Sequence, residues 1–223
     1  MSNDKPILAI ETSEIICGAA LYYSTEKYFA SAIKLKHSHS EKLFEIIEFL
    51  FQQAEINRDE ISSVAVSGGP GSFTGLRIGM AAAKGIASGT AVPLIVVPTF
   101  EALAYQLSSR ISDNTEFIIA NKVNKDEVFY SKFKITLNSY IFVDELTILA
   151  NEEFVNKSIG TKVFGSASYL VEEDKNSNII SSPSAEYVAE WALKFGEKIS
   201  TYDYDYLEPS YLKDFIVKMR YKK

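Results

Sequence analysis

A single cysteine, Cys17, occurs in the whole chain, so no internal disulfide can form, and its apolar neighbours suit a small buried core residue. Histidine is nearly as scarce. His37 and His39 are the only two, and with no cysteine pair near them they fit a helix entry better than a metal site. No apolar run approaches the ~20 residues that span a bilayer, and the first residues lack a signal-peptide pattern. Positive charge is in deficit: the formal net charge of −6 argues against a free-standing nucleic-acid binder. These absences lead us to expect a cytoplasmic protein with no membrane contact. What is present is an ordinary globular composition, 47% hydrophobic and 23% charged over 223 residues, enough for one large domain or two small ones.

The chain is organised around residues 67–89, SGGPGSFTGLRIGMAAAKGIASG. A β-branched run at 63–66 predicts a buried strand leading into it. Gly68, Gly69, Pro70 and Gly71 then make a tight turn, and Ser72 or Thr74 can cap a helix starting near Gly75. Strand, glycine-rich turn and helix N-terminus together form an arrangement that can cradle an anion. No Gly-Lys-Ser/Thr ends the turn and no G-x-G-x-x-G spacing is present, so loop chemistry alone fits a phosphate site and a plain connection equally. Within the helix, Gly75, Gly79 and Ala83 recur every four residues, as do Ala81, Gly85 and Gly89. Each interior glycine costs ~1 kcal/mol of helix propensity, so something must approach closely, either the domain's own sheet or a partner.

Before this stretch, apolar runs at 7–10, 17–23 and 27–36 with short connections predict an antiparallel meander. Glu11, Thr12 and Ser13 in its first turn are candidate phosphate or metal contacts and equally ordinary turn formers. Residues 38–54 read as a helix opened by a Ser38–Glu41 capping box. Its stripe is Leu43, Phe44, Ile47, Leu50, Phe51 and Ala54, with Ile46 and Phe49 outside it, which is wider than one core-facing stripe requires. A strand at 94–97 and a helix at 100–109 follow. Three strands, helix, strand, helix, strand, helix is the order of a ribonuclease H-like unit. The polar stretch at 108–115 suggests a boundary, with a first lobe at 1–108 and a second, reduced lobe at 109–223. In the second half, strands are expected at 117–120, 127–134, 140–148 and 162–164, and helices at 151–157 and 184–198. In the last of these, Val188, Ala192 and Phe195 are expected to face the core. The tail from residue 202 is aromatic and then basic.

Three stretches resemble the bacterial TsaB (YeaZ) family: Ile7-Leu8-Ala9-Ile10-Glu11-Thr12-Ser13 with Gly18-Ala19-Ala20-Leu21; His39-Ser40-Glu41-Lys42-Leu43; and, most specifically, Gly69-Pro70-Gly71-Ser72-Phe73-Thr74-Gly75-Leu76-Arg77-Ile78-Gly79. Near the end, Glu208-Pro209-Ser210-Tyr211-Leu212-Lys213 is similar to the family's Pro-x-Tyr-Leu-Arg, with lysine for arginine. The resemblance implies an α/β fold of two actin-like ATPase lobes, the second reduced. It also implies a role in making N6-threonylcarbamoyladenosine beside the anticodon of tRNAs that read codons starting with A. There a TsaD-like paralogue transfers the threonylcarbamoyl group, a TsaE-like protein is the ATPase, and the TsaB-like chain is a non-catalytic partner that also forms homodimers and meets tRNA only through the complex. The alternative is an ATP-dependent small-molecule kinase of the same superfamily, which lacks support in an aspartate at Glu11 or a second glycine-rich motif.

By the same resemblance, TsaD-like proteins carry a metal-binding His-x-x-x-His that falls here on Thr99 and Leu103, so no metal site and no catalytic residue are expected. Glu11, Thr12, Ser13, Gly69, Gly71, Ser72 and Gly75 form the expected vestigial nucleotide or phosphate turn, with room for a weakly held or shared nucleotide. Ile46, Phe49, Gln53, Gly75, Gly79, Met80 and Ala83 form the expected partner interface. The family often has Asp-Ala-Arg before its Glu-Val-Tyr strand, where this chain has Ala120-Asn121-Lys122 before Glu127-Val128-Phe129.

Overall fold

In the computed structural model the described residues are 4–34, 39–137, 139–171, 180–210 and 212, with His39 and Ser40 described in backbone only. The Ser38 cap, the His37 and His39 side chains, Lys213 and the basic tail lie outside them.

Strands β1 (Ile7–Glu11), β2 (Ile16–Ser24) and β3 (Lys27–Lys34) form the antiparallel meander that the short turns dictate. Helix α1 (His39–Ala54) returns the chain so that β4 (Ser63–Gly69) pairs parallel with β1, Ile10 opposite Val66. Helix α2 (Phe73–Thr90) brings β5 (Leu94–Pro98) parallel beside β4. The first sheet therefore has the order β3-β2-β1-β4-β5. After α3 (Thr99–Ser108), the meander recurs as β6 (Glu116–Lys122), β7 (Glu127–Thr136) and β8 (Ser139–Ala150). Helix α4 (Asn151–Lys157) then lays β9 (Lys162–Phe164) parallel to β6, giving the order β8-β7-β6-β9. Meander, helix, parallel strand thus occurs twice, the second time in reduced form.

The helices do not respect a cut at residue 108. Phe100, Leu103, Ala104 and Leu107 of α3 pack into the second sheet's core with Phe117, Phe129 and Phe133. Helix α5 (Ala185–Phe195) instead lies on the first sheet, its Val188, Ala189 and Ala192 sharing a core with Ile7, Ala9 and Ile95. Beyond α5, Thr201 bridges to Leu94. The contiguous lobes 1–108 and 109–223 are therefore corrected: α3 lies between the two sheets, with Ala102 in the first sheet's core, and α5 and the segment through Thr201 lie with the first. The seam between them is polar-aromatic. Trp191 Nε1 donates to Tyr140 at 2.8 Å, and the Tyr140 hydroxyl donates to Glu101 at 2.7 Å. Phe195, expected in the core, is 38% exposed at the end of α5.

Helix α1 also differs from its expected orientation. Leu43, Ile46, Ile47, Leu50 and Phe51 are buried where α1 meets β2, β3 and α2, while Phe44 is 55% exposed and Phe49 is 49% exposed. At 3.6 residues per turn, a stripe centred on Leu43 and Leu50 takes in Ile46 and leaves Phe44 and Phe49 on its two flanks.

Candidate functional site: the glycine-rich turn and the helix beyond it

Strand β4 runs straight into the turn. Gly69 has φ 114°, a left-handed conformation that favours glycine, and a Cβ there would meet Ser210 O at 2.9 Å. Its N–H donates to Thr99 Oγ1 at 3.0 Å, and Ser210 N–H donates to Gly68 O at 2.8 Å. On the other side, Ser72 N–H donates to Ser13 O at 2.6 Å, and a Cβ on Gly71 would stand 2.4 Å from that same oxygen. Ser72 is the N-cap of α2, its hydroxyl accepting from Gly75 N–H at 3.3 Å. Helix α2 thus begins at Phe73, two residues before the glycine expected to open it.

The first turn completes the clasp. Glu11, Thr12 and Ser13 are fully buried. The Glu11 carboxyl accepts from the Ser13 N–H at 2.6 Å and from the hydroxyls of Ser13 and Ser67. Thr12 Oγ1 donates to Gly75 O at 2.8 Å. Burial pushes the Glu11 carboxyl up to about 7. Burial and the nearby Glu11 push Glu14 up to about 8, and Glu14 is hydrogen-bonded to Ser166 of the second lobe. The expectation that Glu11, Thr12 and Ser13 face a phosphate is therefore corrected. Their polar groups hold one another and fasten β1 to α2.

The small residues of α2 divide into two sets. A Cβ on Gly75 would lie 2.0 Å from Thr12 O, and one on Gly79 would lie 2.2 Å from Thr12 Oγ1. Gly75, Gly79, Met80 and Ala83 are all buried within their own lobe, as is Ile46, so their place at a partner surface is corrected: Thr12 and the core fill the space beside them. Of the residues expected at that surface, Phe49 and Gln53 do lie outward. Ala81, Gly85, Ser88 and Gly89 are exposed, and nothing lies within 4 Å of a Cβ on Gly85 or Gly89.

Thr99 and Leu103 are both buried, and the Thr99 hydroxyl is already engaged by Gly69. Among the described residues no cluster of three or more histidine, cysteine, aspartate or glutamate side chains could hold a metal ion. Two residues have roles that the sequence did not assign them. Ser67 holds Glu11, and Asn121 bridges the second lobe, accepting from Ser166 N–H at 2.7 Å and donating to Ser181 O at 2.8 Å. Asn121 lies where the family often has other residues, and that departure was its only signal.

Two sheets built on a repeated meander, with a glycine-rich turn after the fourth strand, define a two-lobed actin-like ATPase fold. Residues 33–119 match the sequence profile described as TsaD: tRNA N6-adenosine threonylcarbamoyltransferase. Along nearly its whole length, the chain is similar to the TsaB (YeaZ) family within this fold class. It is 26% identical to the tRNA threonylcarbamoyladenosine biosynthesis protein TsaB of Haemophilus influenzae, covering 93% of each chain. It is 25% identical to the protein of that name in Escherichia coli, covering 93% of this chain and 94% of the other. The solved structure of YeaZ from Pseudomonas aeruginosa superposes with a TM-score of 0.76 at 21% identity, over 93% of this chain and all of that one. None of these relatives carries a kinase name, and the kinase alternative finds no support among them.

Proposed function

We propose that this protein is the non-catalytic partner of a TsaD-like transferase in the cytoplasmic synthesis of threonylcarbamoyladenosine on tRNA. The observation that carries the reading is the pair Gly85 and Gly89. Gly85 sits inside α2 at a propensity cost of ~1 kcal/mol and Gly89 in its last turn at less, and among the described residues nothing lies within 4 Å of a Cβ on either. A partner helix lying close against α2 accounts for that cost. Phe49 and Gln53, exposed on α1, supply further apolar and polar contacts. The transferase homologue is the natural occupant, a second copy of this chain the occupant in its absence, with a TsaE-like ATPase and tRNA joining through the complex. On this reading the glycine-rich turn fixes the angle of α2, and any nucleotide there is weakly held or shared. No helix among the described residues is long and apolar enough to cross a membrane.

The test is calorimetric titration of the TsaD-like protein of the same cell with Gly85→Leu and Phe49→Glu variants. Both positions are open, so the fold survives. Burying a half-exposed phenylalanine is worth about 1–2 kcal/mol, so each variant loses about tenfold or more in affinity. Wild-type affinity in both would place the interface elsewhere.

A further inference from the structure

After α5 the chain does not leave the molecule. Residues 201–210 run back over the first lobe as a strap with Thr201, Tyr204 and Leu207 turned inward. Thr201 pairs with Leu94 through N–H to O bonds of 2.9 and 3.1 Å in the two directions. The Tyr204 hydroxyl donates to Val92 O at 2.8 Å and reaches Ala87 O at 3.3 Å, and Tyr204 and Leu207 pack on the core beneath α2. Ser210 closes the strap on Gly68. The residues between these anchors point outward: Tyr202 is 66% exposed, Tyr206 is 86% exposed, and Asp203, Asp205 and Glu208 are exposed with them.

We propose that this outward ledge of tyrosines and carboxylates is a docking surface for a basic, arginine-bearing patch on the same protein that seats on α2. The proposal rests on the α2 reading above. The ledge is continuous with the α2 face, since Lys84, next to Gly85, donates to Asp205 O at 3.3 Å, and Tyr204 reaches Ala87, next to Ser88. Among the described residues Asp203, Asp205 and Glu208 form no ion pair. Guanidinium groups answer both parts of such a surface, stacking on tyrosine faces and pairing with carboxylates. Three carboxylates in six residues repel a phosphate backbone, so the ledge faces protein and not RNA. The strap is already anchored in the free protein, so little ordering entropy opposes docking on it.

The experiment measures association and dissociation rates with the TsaD-like protein at low and at high salt. It uses the Asp203→Lys/Asp205→Lys double variant, Tyr206→Ser and Gly85→Leu. The altered strap residues are outward and exposed, so circular dichroism stays unchanged. The charge reversal slows association about tenfold at low salt and flattens the salt dependence, and Tyr206→Ser speeds dissociation several-fold. Ledge variants that keep wild-type rates at both salts, while Gly85→Leu fails to bind, overturn the ledge and leave the α2 reading standing. The reverse pattern overturns the α2 reading and, with it, the occupant shared by α2 and the ledge. If charge reversal changes only self-association, the occupant is a second copy and the proposal is wrong.

Discussion

One substitution made at two places in α2 should change stability in opposite directions. At Gly85 an added methyl group meets nothing within 4 Å. Alanine there recovers helix propensity alone, about 1 kcal/mol. At Gly75 the same methyl group would stand 2.0 Å from the backbone oxygen of Thr12, an atom that cannot swing aside as a side chain would. Overpacking of this kind costs about 1–3 kcal/mol. The shift also strains the bond from Thr12 Oγ1 to Gly75 O, a buried donor whose loss costs a further 1–3 kcal/mol by order of magnitude. Gly75 lies in the first turn, where little propensity is regained, so the net cost is about 2–5 kcal/mol. In a chain of this size each kcal/mol moves Tm by roughly 2–4 °C. Thermal unfolding followed by far-ultraviolet circular dichroism, at concentrations where the protein is monomeric, should show Gly85→Ala a few degrees above wild type. Gly75→Ala should fall roughly 5–15 °C below it. Equal shifts of the same sign would refute the assignment of one face of α2 to Thr12 and the other to open space.

Two further outcomes follow from the clasp. Glu11 and Glu14 sit at about 7 and about 8, above the ordinary carboxyl value of 4.5, so between that value and theirs the folded protein holds protons that the unfolded chain has lost. Their contribution is complete in acid and is lost as pH rises through 7 to 8. Urea unfolding should therefore show stability falling from pH 4.5 toward 7 to 8, and Glu11→Gln should remove roughly 3 kcal/mol of that fall, since one pKa unit is about 1.4 kcal/mol. A slope unchanged in Glu11→Gln would mean that the carboxyl is ionised in the fold. Elemental analysis should find no stoichiometric zinc or iron, and calorimetry no submicromolar ATP binding by the isolated chain, because Thr99 and the first-turn hydroxyls are engaged with the backbone and with one another. One transition metal per chain, or tight ATP binding abolished by Gly71→Val in a folded variant, would contradict this.

The order of elements could be read from the sequence because each strand is short, apolar and punctuated, and because two-residue and four-residue connections leave a meander no other pairing. What could not be read was which half owns which helix. Amphipathic periodicity says that α3 and α5 each bury a face; it carries no record of the sheet they bury it on. Phe44 and Ile46 were interchanged for a related reason. A broad apolar helix leaves its rotation undetermined until the neighbours that fill one side, here β2 and α2, fix where the stripe is centred.

The glycines of α2 show the same limit at the site itself. Gly75, Gly79 and Ala83 in one series, and Ala81, Gly85 and Gly89 in the other, are equivalent in spacing and composition, and either could face a partner. Thr12 decides between them from 63 positions away in sequence, by donating to Gly75 O and filling the space beside Gly79. Once one series is taken up by the clasp, helix rotation turns the other outward. The same contacts engage the polar groups that would have met a phosphate, since Ser13 O takes the Ser72 N–H and Thr99 takes that of Gly69. An inward-tied turn and an outward-facing smooth helix are therefore two consequences of one set of contacts. Loosening the clasp should then change both the turn and the angle at which the α2 face is presented.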